Sequence, residues 1–137
     1  MLFRSSGNVN TSTKTYVAYC WAEVAGFSKF GSYTGNGSSD GPFVFTGHRP
    51  RYVLVKRTDV SDSWQVYDTA RDTYNTTAAN LYPNLSNAEV TDNTGQNIDI
   101  LSNGFKLRNT NARLNASGGT YIFAAFAENP FKNALAR

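Results

Sequence analysis

The apolar residues of this chain fall into short runs, separated by turns that are rich in glycine, asparagine and serine. Residues 15–24 form the first strong run. Residues 27–33 follow it with aromatic residues and glycines, which suggest a second, twisted strand. Residues 34–42 contain three glycines and a proline and predict a loop. The pattern continues with a short strand at residues 43–46.

Two hairpins are predicted further along the chain. Residues 51–57 are almost continuously apolar, as in a central strand that is covered on both faces. Residues 63–68 alternate apolar and polar side chains, as in a half-buried strand, and complete the first hairpin. Residues 97–101 and 105–108 form the second, because Asn-Gly between two apolar runs is a strong hairpin signal.

Together these runs predict an all-β fold. Residues 70–92 carry the weakest pattern, and residues 80–85 within them suggest an extended edge or a short turn of helix. No stretch has the 3.6-residue apolar period of a helix. About eight to ten short strands with glycine-rich turns predict a single antiparallel β-sandwich over residues 1–137, jelly-roll-like in arrangement.

Two of the runs are copies of each other at a constant offset of 105 residues. Residues 10–23 align with residues 115–128, whereas average residue usage would give about one match in such a window. Six positions are identical: Asn10/Asn115, Ser12/Ser117, Thr15/Thr120, Tyr16/Tyr121, Ala22/Ala127 and Glu23/Glu128.

The repeat predicts how the domain is organised. Residues 1–24 read as the end of a repeated unit, residues 27–128 as a complete unit and residues 129–137 as a tail. We expect the copied strands at 15–23 and 120–128 to take equivalent central places in one sandwich. That placement would bury the single cysteine, Cys20, as an inert thiol.

Composition and charge narrow the possible partners. The chain is 40% hydrophobic, 14% aromatic and only 17% charged, which is the opposite of a disordered protein. A net charge of +3 does not by itself indicate nucleic acid, and the basic residues around Tyr52 are typical of solvated strand ends. They are His48, Arg49, Arg51, Lys56 and Arg57. No apolar stretch approaches the ~18 residues of a membrane span. Neither nucleic acid nor a membrane is predicted as a partner.

No catalytic or metal-binding set of residues is recognisable. His48 is the single histidine, is predicted to be solvated in a turn, and makes no zinc site with Cys20. Glu23 and Glu128 end the two copies, and either could pair with an aspartate as in a glycosidase. Bonding to a turn backbone or to a basic neighbour is the simpler interpretation of both glutamates.

A calcium site is a further alternative for the aspartates. Asp59 and Asp62 lie in one turn and could join Asp40, but Asx-type turn bonding explains them more simply. We therefore predict no enzyme, no metal and no cofactor. The chemistry left for the surface is amide, hydroxyl and aromatic, which suits a sugar ring. The candidate ligand-binding residues in the loops are Tyr33, Asn36, Ser38, Asp40, Tyr74 and Asn75.

Four segments carry a resemblance to a known family. They are GFSKFGSYTGNGSSDGPFV at 26–44, RPRYVLVKRTD at 49–59, NIDILSNGFKLR at 97–108 and NASGGTYIFAAFAE at 115–128. The chain resembles a module found at the C-terminal end of tail-fibre-like and other virion proteins of tailed bacteriophages, marine phages and prophages included. The resemblance covers nearly the whole chain from Tyr16 onward.

The resemblance implies a function without catalysis. It implies a structural protein of the phage virion, either a tail fibre or fibre tip or a decoration subunit. The expected partners are other virion proteins and further copies of the chain, as a homotrimer. Loops at residues 33–40 and 70–87 would face a host-surface glycan. The alternatives are a capsular polysaccharide depolymerase, with Glu23 or Glu128 in its active site, and a purely architectural head decoration protein.

Overall fold

The computed structural model describes residues 11–91 and 95–130, of which 37% are in strands or bridges and 3% in a helix. The predicted all-β sandwich is confirmed. In chain order the elements are β1 (Ser28–Thr34), β2 (Phe43–Phe45), β3 (Pro50–Arg57), β4 (Gln65–Asp68), β5 (Asn80–Leu81), β6 (Ile98–Leu101), β7 (Gly104–Leu107), α1 (Ala112–Asn115) and β8 (Thr120–Ala127). These eight strands of the described residues fall within the predicted range.

The strands form two antiparallel sheets that pack together. One has five strands in the order β1-β8-β3-β4-β5, and the other has three in the order β2-β7-β6. Both predicted hairpins, β3–β4 and β6–β7, are present, and residues 80–85 supply the edge strand β5. Strand β8 lies between β1 and β3 and pairs with both along most of its length, so it joins the early strands of the chain to the middle ones.

The core lies between the two sheets. Alternate residues of β3 and β8 point into it, and the second sheet faces them with the apolar residues of β6 and β7. The buried side chains of these four strands are Val53, Val55, Tyr121, Phe123, Ala125, Ile98, Ile100, Phe105 and Leu107. Tyr33 of β1 stacks on Tyr121 with ring centroids 4.9 Å apart. Each large side chain that is fully buried contributes about 1.5–3 kcal/mol.

Residues 15–23 do not form the predicted strand, and this expectation was wrong. They lie outside both sheets and are exposed, Cys20 included. The copy at 120–128 does hold a central place, as β8. Because β8 fills the gap between β1 and β3, the sheet offers no second central place to a strand of the same sequence. Trp21 and Phe126, which align in the repeat, nevertheless touch, with ring centroids 6.5 Å apart. The predictions for residues 1–10 and 131–137 lie outside the described residues.

His48 is buried, which corrects the prediction of a solvated turn histidine; 8% of its surface is exposed. The hydroxyl of Thr46 donates to the His48 carbonyl at 2.6 Å, and Gly47 between them has φ +78°, so the turn folds tightly. This turn carries the imidazole inward. Burial lowers the pKa of His48 below its usual value.

Candidate functional site

The outer face of the five-stranded sheet is apolar where a solvated sheet face is usually polar. Because Val53, Val55, Tyr121, Phe123 and Ala125 point into the core, their neighbours along β3 and β8 point outward. The apolar outward residues of the three adjacent strands β1, β8 and β3 are Phe30, Ile122, Ala124, Phe126, Tyr52 and Leu54. The same strands also point Ser32, Thr34, Lys56 and Thr120 outward, toward the other end of this surface. We call this surface the outer face.

A groove of about 350 Å³ crosses the outer face. Both tryptophans of the chain, Trp21 and Trp64, line it together with Phe30, Leu54 and Ile122. Its remaining lining residues are glycine, alanine and phenylalanine, so no charged side chain borders it. A groove with this lining favours apolar side chains of a protein over a hydrated small molecule.

The segment of residues 15–23, which we call the arm, contributes Trp21 to the lining of this groove. Val17, Tyr19 and Trp21 are 79%, 77% and 64% exposed, and the Tyr19 and Trp21 rings stack at 6.3 Å. At the end of the arm, the Ser28 hydroxyl donates to the Ala22 carbonyl at 2.9 Å and accepts from the Val24 amide at 3.1 Å. The arm therefore presents apolar side chains to solvent beside an apolar groove.

The predicted ligand loop at residues 33–40 is held against the body of the protein. The Asn115 amide nitrogen donates to the Ser38 carbonyl at 2.7 Å and to Asn36 Oδ1 at 3.1 Å. Asn115 Oδ1 accepts from the Asn36 amide at 2.8 Å. Tyr33 packs into the core and its hydroxyl donates to the Leu114 carbonyl, and burial raises its pKa well above the usual value. Asn36 and Ser38 thus use part of their polar groups internally.

Asp40 is the most accessible charged member of that set. Its carboxylate lies 2.6 Å from Lys106 Nζ and 3.2 Å from Arg108 Nη1. The hydrogen bond from Lys106 lowers the pKa of Asp40 below its usual value. Arg108 also binds Asp99 at 2.5 Å, so the four residues form a surface network of alternating charge.

Tyr74 and Asn75 lie at a different place, beside the second sheet. Tyr74 is 82% exposed. The side chain of Asn75 binds the backbone of Ile100 on β6 twice, accepting from its amide and donating to its carbonyl, both at 2.9 Å. Asn75 therefore anchors the loop that carries Tyr74. Tyr33 is part of β1 and packs into the core, so it is not a loop residue as predicted. The other five predicted ligand residues belong to two separate loops, which contact different strands, and their role in binding stays a prediction.

The carboxylates considered for catalysis or calcium are in ion pairs. Glu23 lies 2.7 Å from Lys29, and Glu128 lies 2.8 Å from Arg49. Each glutamate therefore bonds a basic neighbour, as in the simpler of the two interpretations of the sequence. Asp59 pairs with Arg57 at 2.7 Å, and the Arg57 hydrogen bond lowers the pKa of Asp59 to about 2. Among residues 11–91 and 95–130, no three histidine, cysteine or acidic side chains are grouped to hold a metal. Within the same residues no helix is long and apolar enough to span a membrane.

A family model for a domain of unknown function (DUF7483) matches residues 1–130. The chain belongs to this family. No curated protein and no solved structure matches the chain. The DUF7483 match includes the arm, both sheets and both loops with the predicted ligand residues, so all of these features lie within the one matched domain.

The sequence interpretation missed the outer face, although a signal for it was present. Residues 52–55 and 121–127 are apolar at consecutive positions, so these parts of β3 and β8 are apolar on both faces. One face meets the core, and nothing in the pattern says what meets the other. Among residues 11–91 and 95–130, Trp21 of the arm contacts Phe126 on this second face, and a groove of about 350 Å³ remains beside it.

Proposed function

We propose that this chain is a non-enzymatic structural protein of a phage virion, a tail-fibre, fibre-tip or decoration subunit that assembles through its outer face. The observation that carries this proposal is the apolar outer face with its groove of about 350 Å³. Soluble proteins that act alone rarely expose large contiguous apolar patches, and such patches usually mark contacts with other proteins. The resemblance to phage fibre modules suggests that the assembly in question is a phage virion.

The positions of the two repeat glutamates support a role without catalysis. A glycosidase needs one carboxyl group that is protonated and a second that faces it across an open cleft. Glu23 and Glu128 instead form ion pairs, Glu23 with Lys29 at 2.7 Å and Glu128 with Arg49 at 2.8 Å. An assay of capsule degradation tests this directly, since a polysaccharide depolymerase would lose activity in Glu23→Gln or Glu128→Gln and a structural subunit has none to lose.

Location in the particle is the direct test of the main proposal. Purified virions of the phage that carries the gene are digested and quantified by mass spectrometry, and antibodies against the chain are placed on intact particles by electron microscopy. We expect the chain in a fixed ratio to the major capsid protein, with label at the tail or on the head. An abundant host protein measured in parallel controls for carry-over. Absence of the chain from the particles overturns the proposal.

Binding of a host-surface glycan is a second candidate function, favoured by Tyr74. An aromatic ring that is 82% exposed at the tip of an anchored loop offers a flat face for a sugar ring. A glycan array should show binding that Tyr74→Ala removes, while Phe45→Ala, at an exposed aromatic on β2, leaves it unchanged. Absence of binding by the unaltered chain would instead favour a purely architectural decoration subunit.

A further inference from the structure

The free edge of β1 and the sequence of the arm are complementary. Strand β1 is at the end of the five-stranded sheet, with β8 as its strand partner, and on its other side the described residues add only a bridge from Val24 to Ser28. From Lys29 to Thr34 the backbone of this edge has no strand beside it among the described residues. An open edge of this kind is a template for another strand.

The arm carries the sequence that pairs with β1. It is the copy of β8, and β8 pairs antiparallel with all seven residues of β1. Placed on β1 in the register of β8, shifted by the 105-residue offset, the arm sets Val17 opposite Ser32 and Tyr19 opposite Phe30. Both arm residues would then lie on the outer face beside the groove, because opposed residues share a face.

The arm also lacks the features that protect exposed strands from pairing. Residues 15–22 contain no charged residue and no proline, the two devices that usually blunt an edge. Val17 and Tyr19 are more than three-quarters exposed. In its own chain the arm follows β1 only as far as Val24, and from Ala22 it turns toward the outer face, where Trp21 meets Phe126.

We infer that a second copy of this chain supplies the missing strand: residues 15–20 of one copy add to residues 29–34 of β1 in the next. Each copy has one arm and one β1 edge that no strand of the described residues covers, so the exchange closes into a symmetric assembly. Main-chain hydrogen bonds hold the added strand, and Val17 and Tyr19 cover the groove. This inference names the partner of the outer face and so rests on the proposed structural role.

The first test measures mass in solution. Light scattering during size-exclusion chromatography should show a closed oligomer of the unaltered chain, and Val17→Lys with Tyr19→Lys should convert it to single copies. Because both side chains are exposed, the double variant should keep the circular dichroism spectrum of a folded single copy and its thermal midpoint. Tyr74→Lys is the matched control and should leave the oligomer intact. An unaltered chain that stays single at every soluble concentration, or a double variant that still assembles, overturns the inference.

The second test separates exchange between copies from pairing within one. Val17→Cys and Ser32→Cys, in a chain with Cys20→Ser, place a thiol on each of two opposed positions, all three exposed in the single copy. Chains labelled with nitrogen-15 are mixed with unlabelled chains and oxidised. We expect disulfide-linked peptides in which one partner is labelled and the other is not. The control pair is Val17→Cys with Leu85→Cys, in which Leu85 is not part of β1, and it should give few such mixed disulfide-linked peptides. Links found only within one chain overturn the inference.

The two proposals fail separately. The arm experiments use purified chain and report on exchange whether or not a virion contains the protein. The particle experiment reports on location whether or not arms are exchanged. A chain that is found in virions but stays a single copy in solution retains its proposed structural role and loses the exchanged arm.

Discussion

The side chain of Asn115 joins three segments of the chain. It is fully buried and binds Asn36, the Ser38 carbonyl and the Asn109 carbonyl through four hydrogen bonds. Asn115→Ala should lower the free energy of unfolding by about 2–4 kcal/mol, because it removes four hydrogen bonds that are buried or partly buried. Urea unfolding measures the loss. Asn129→Ala, at an exposed position, should change stability little, and an equal effect of both would contradict this role for Asn115.

His48 gives the protein a pH dependence whose sign is fixed by burial. Its pKa in the folded state is below the unfolded value of about 6.5. At pH values between these two pKa values, the unfolded state therefore binds more protons than the folded state. Stability should be constant above about pH 6.5 and fall as the pH drops below it. As the chain has one histidine, proton NMR reports its titration directly. A midpoint at or above 6.5 would contradict the prediction, and His48→Leu should remove the pH step above pH 5.

Cys20 and His48 show why exposure of single residues was hard to predict. Cys20 stands in an apolar run and was expected to be buried, but burial requires that the run join a sheet. His48 stands in a turn, which is usually solvated, but Thr46 closes this turn so that the ring faces inward. Both outcomes depend on the path of the backbone beyond the local sequence.

At the level of elements, the loop between β1 and β2 needs glycine at two positions because neighbouring atoms leave no room for a Cβ atom there. A Cβ at Gly35 would lie 2.3 Å from the Ala116 carbonyl oxygen, and one at Gly41 would lie 2.7 Å from Leu107. Backbone atoms cannot move aside as a side chain can. The sequence identified a glycine-rich loop, but only the packing against the segment before β8 says which glycines are required.

Gly35→Ala should therefore destabilise the fold by more than about 1 kcal/mol. Gly95→Ala is the control, because its new Cβ would meet nothing closer than 3.8 Å. Thermal unfolding of the two variants gives the comparison. Similar midpoints for both would mean that the loop shifts to accept a methyl group.

The elements that were predicted well have local causes. The β6–β7 hairpin follows from Asn103-Gly104 between two apolar runs, and the β3–β4 hairpin from a polar turn between two more. Helix α1 was missed because four residues are too few to show a period; its start is set by Asn111, whose side chain accepts from the Arg113 amide. The arm was predicted as a strand because its composition suits one, but a strand also needs a neighbour to pair with.

For the whole molecule, the sandwich could be predicted from the strand pattern and the strand order could not. Alternation and turn spacing report which residues form strands and which faces are apolar. They do not report that β8 lies between β1 and β3, because that pairing joins residues about ninety positions apart. The partly covered outer face follows from this order, and so the candidate site was beyond the sequence pattern alone.

Assembly of the molecule should be visible in its own fluorescence. Both tryptophans line the groove of the outer face, and Trp21 is 64% exposed in a single copy. If arms of other copies cover the groove, emission should shift to shorter wavelength as protein concentration rises. Trp64→Phe isolates Trp21 and should keep the shift, whereas Val17→Lys with Tyr19→Lys should abolish it. An emission maximum independent of concentration would argue that the groove stays open.

The position of β8 sets the order in which this protein is made and folded. A ribosome delivers β1 and β3 long before β8, the strand that must join them. Until β8 is made, β1 cannot pair with the rest of the five-stranded sheet, and the apolar surfaces of β1 and of β3 to β5 stay exposed to solvent. Folding must therefore wait for nearly the complete described chain, and it should be slow, on the order of milliseconds to seconds, as for other β-sandwiches with distant pairings. Nascent chains halted before residue 120 should bind chaperones and be digested rapidly by protease, whereas the released chain resists.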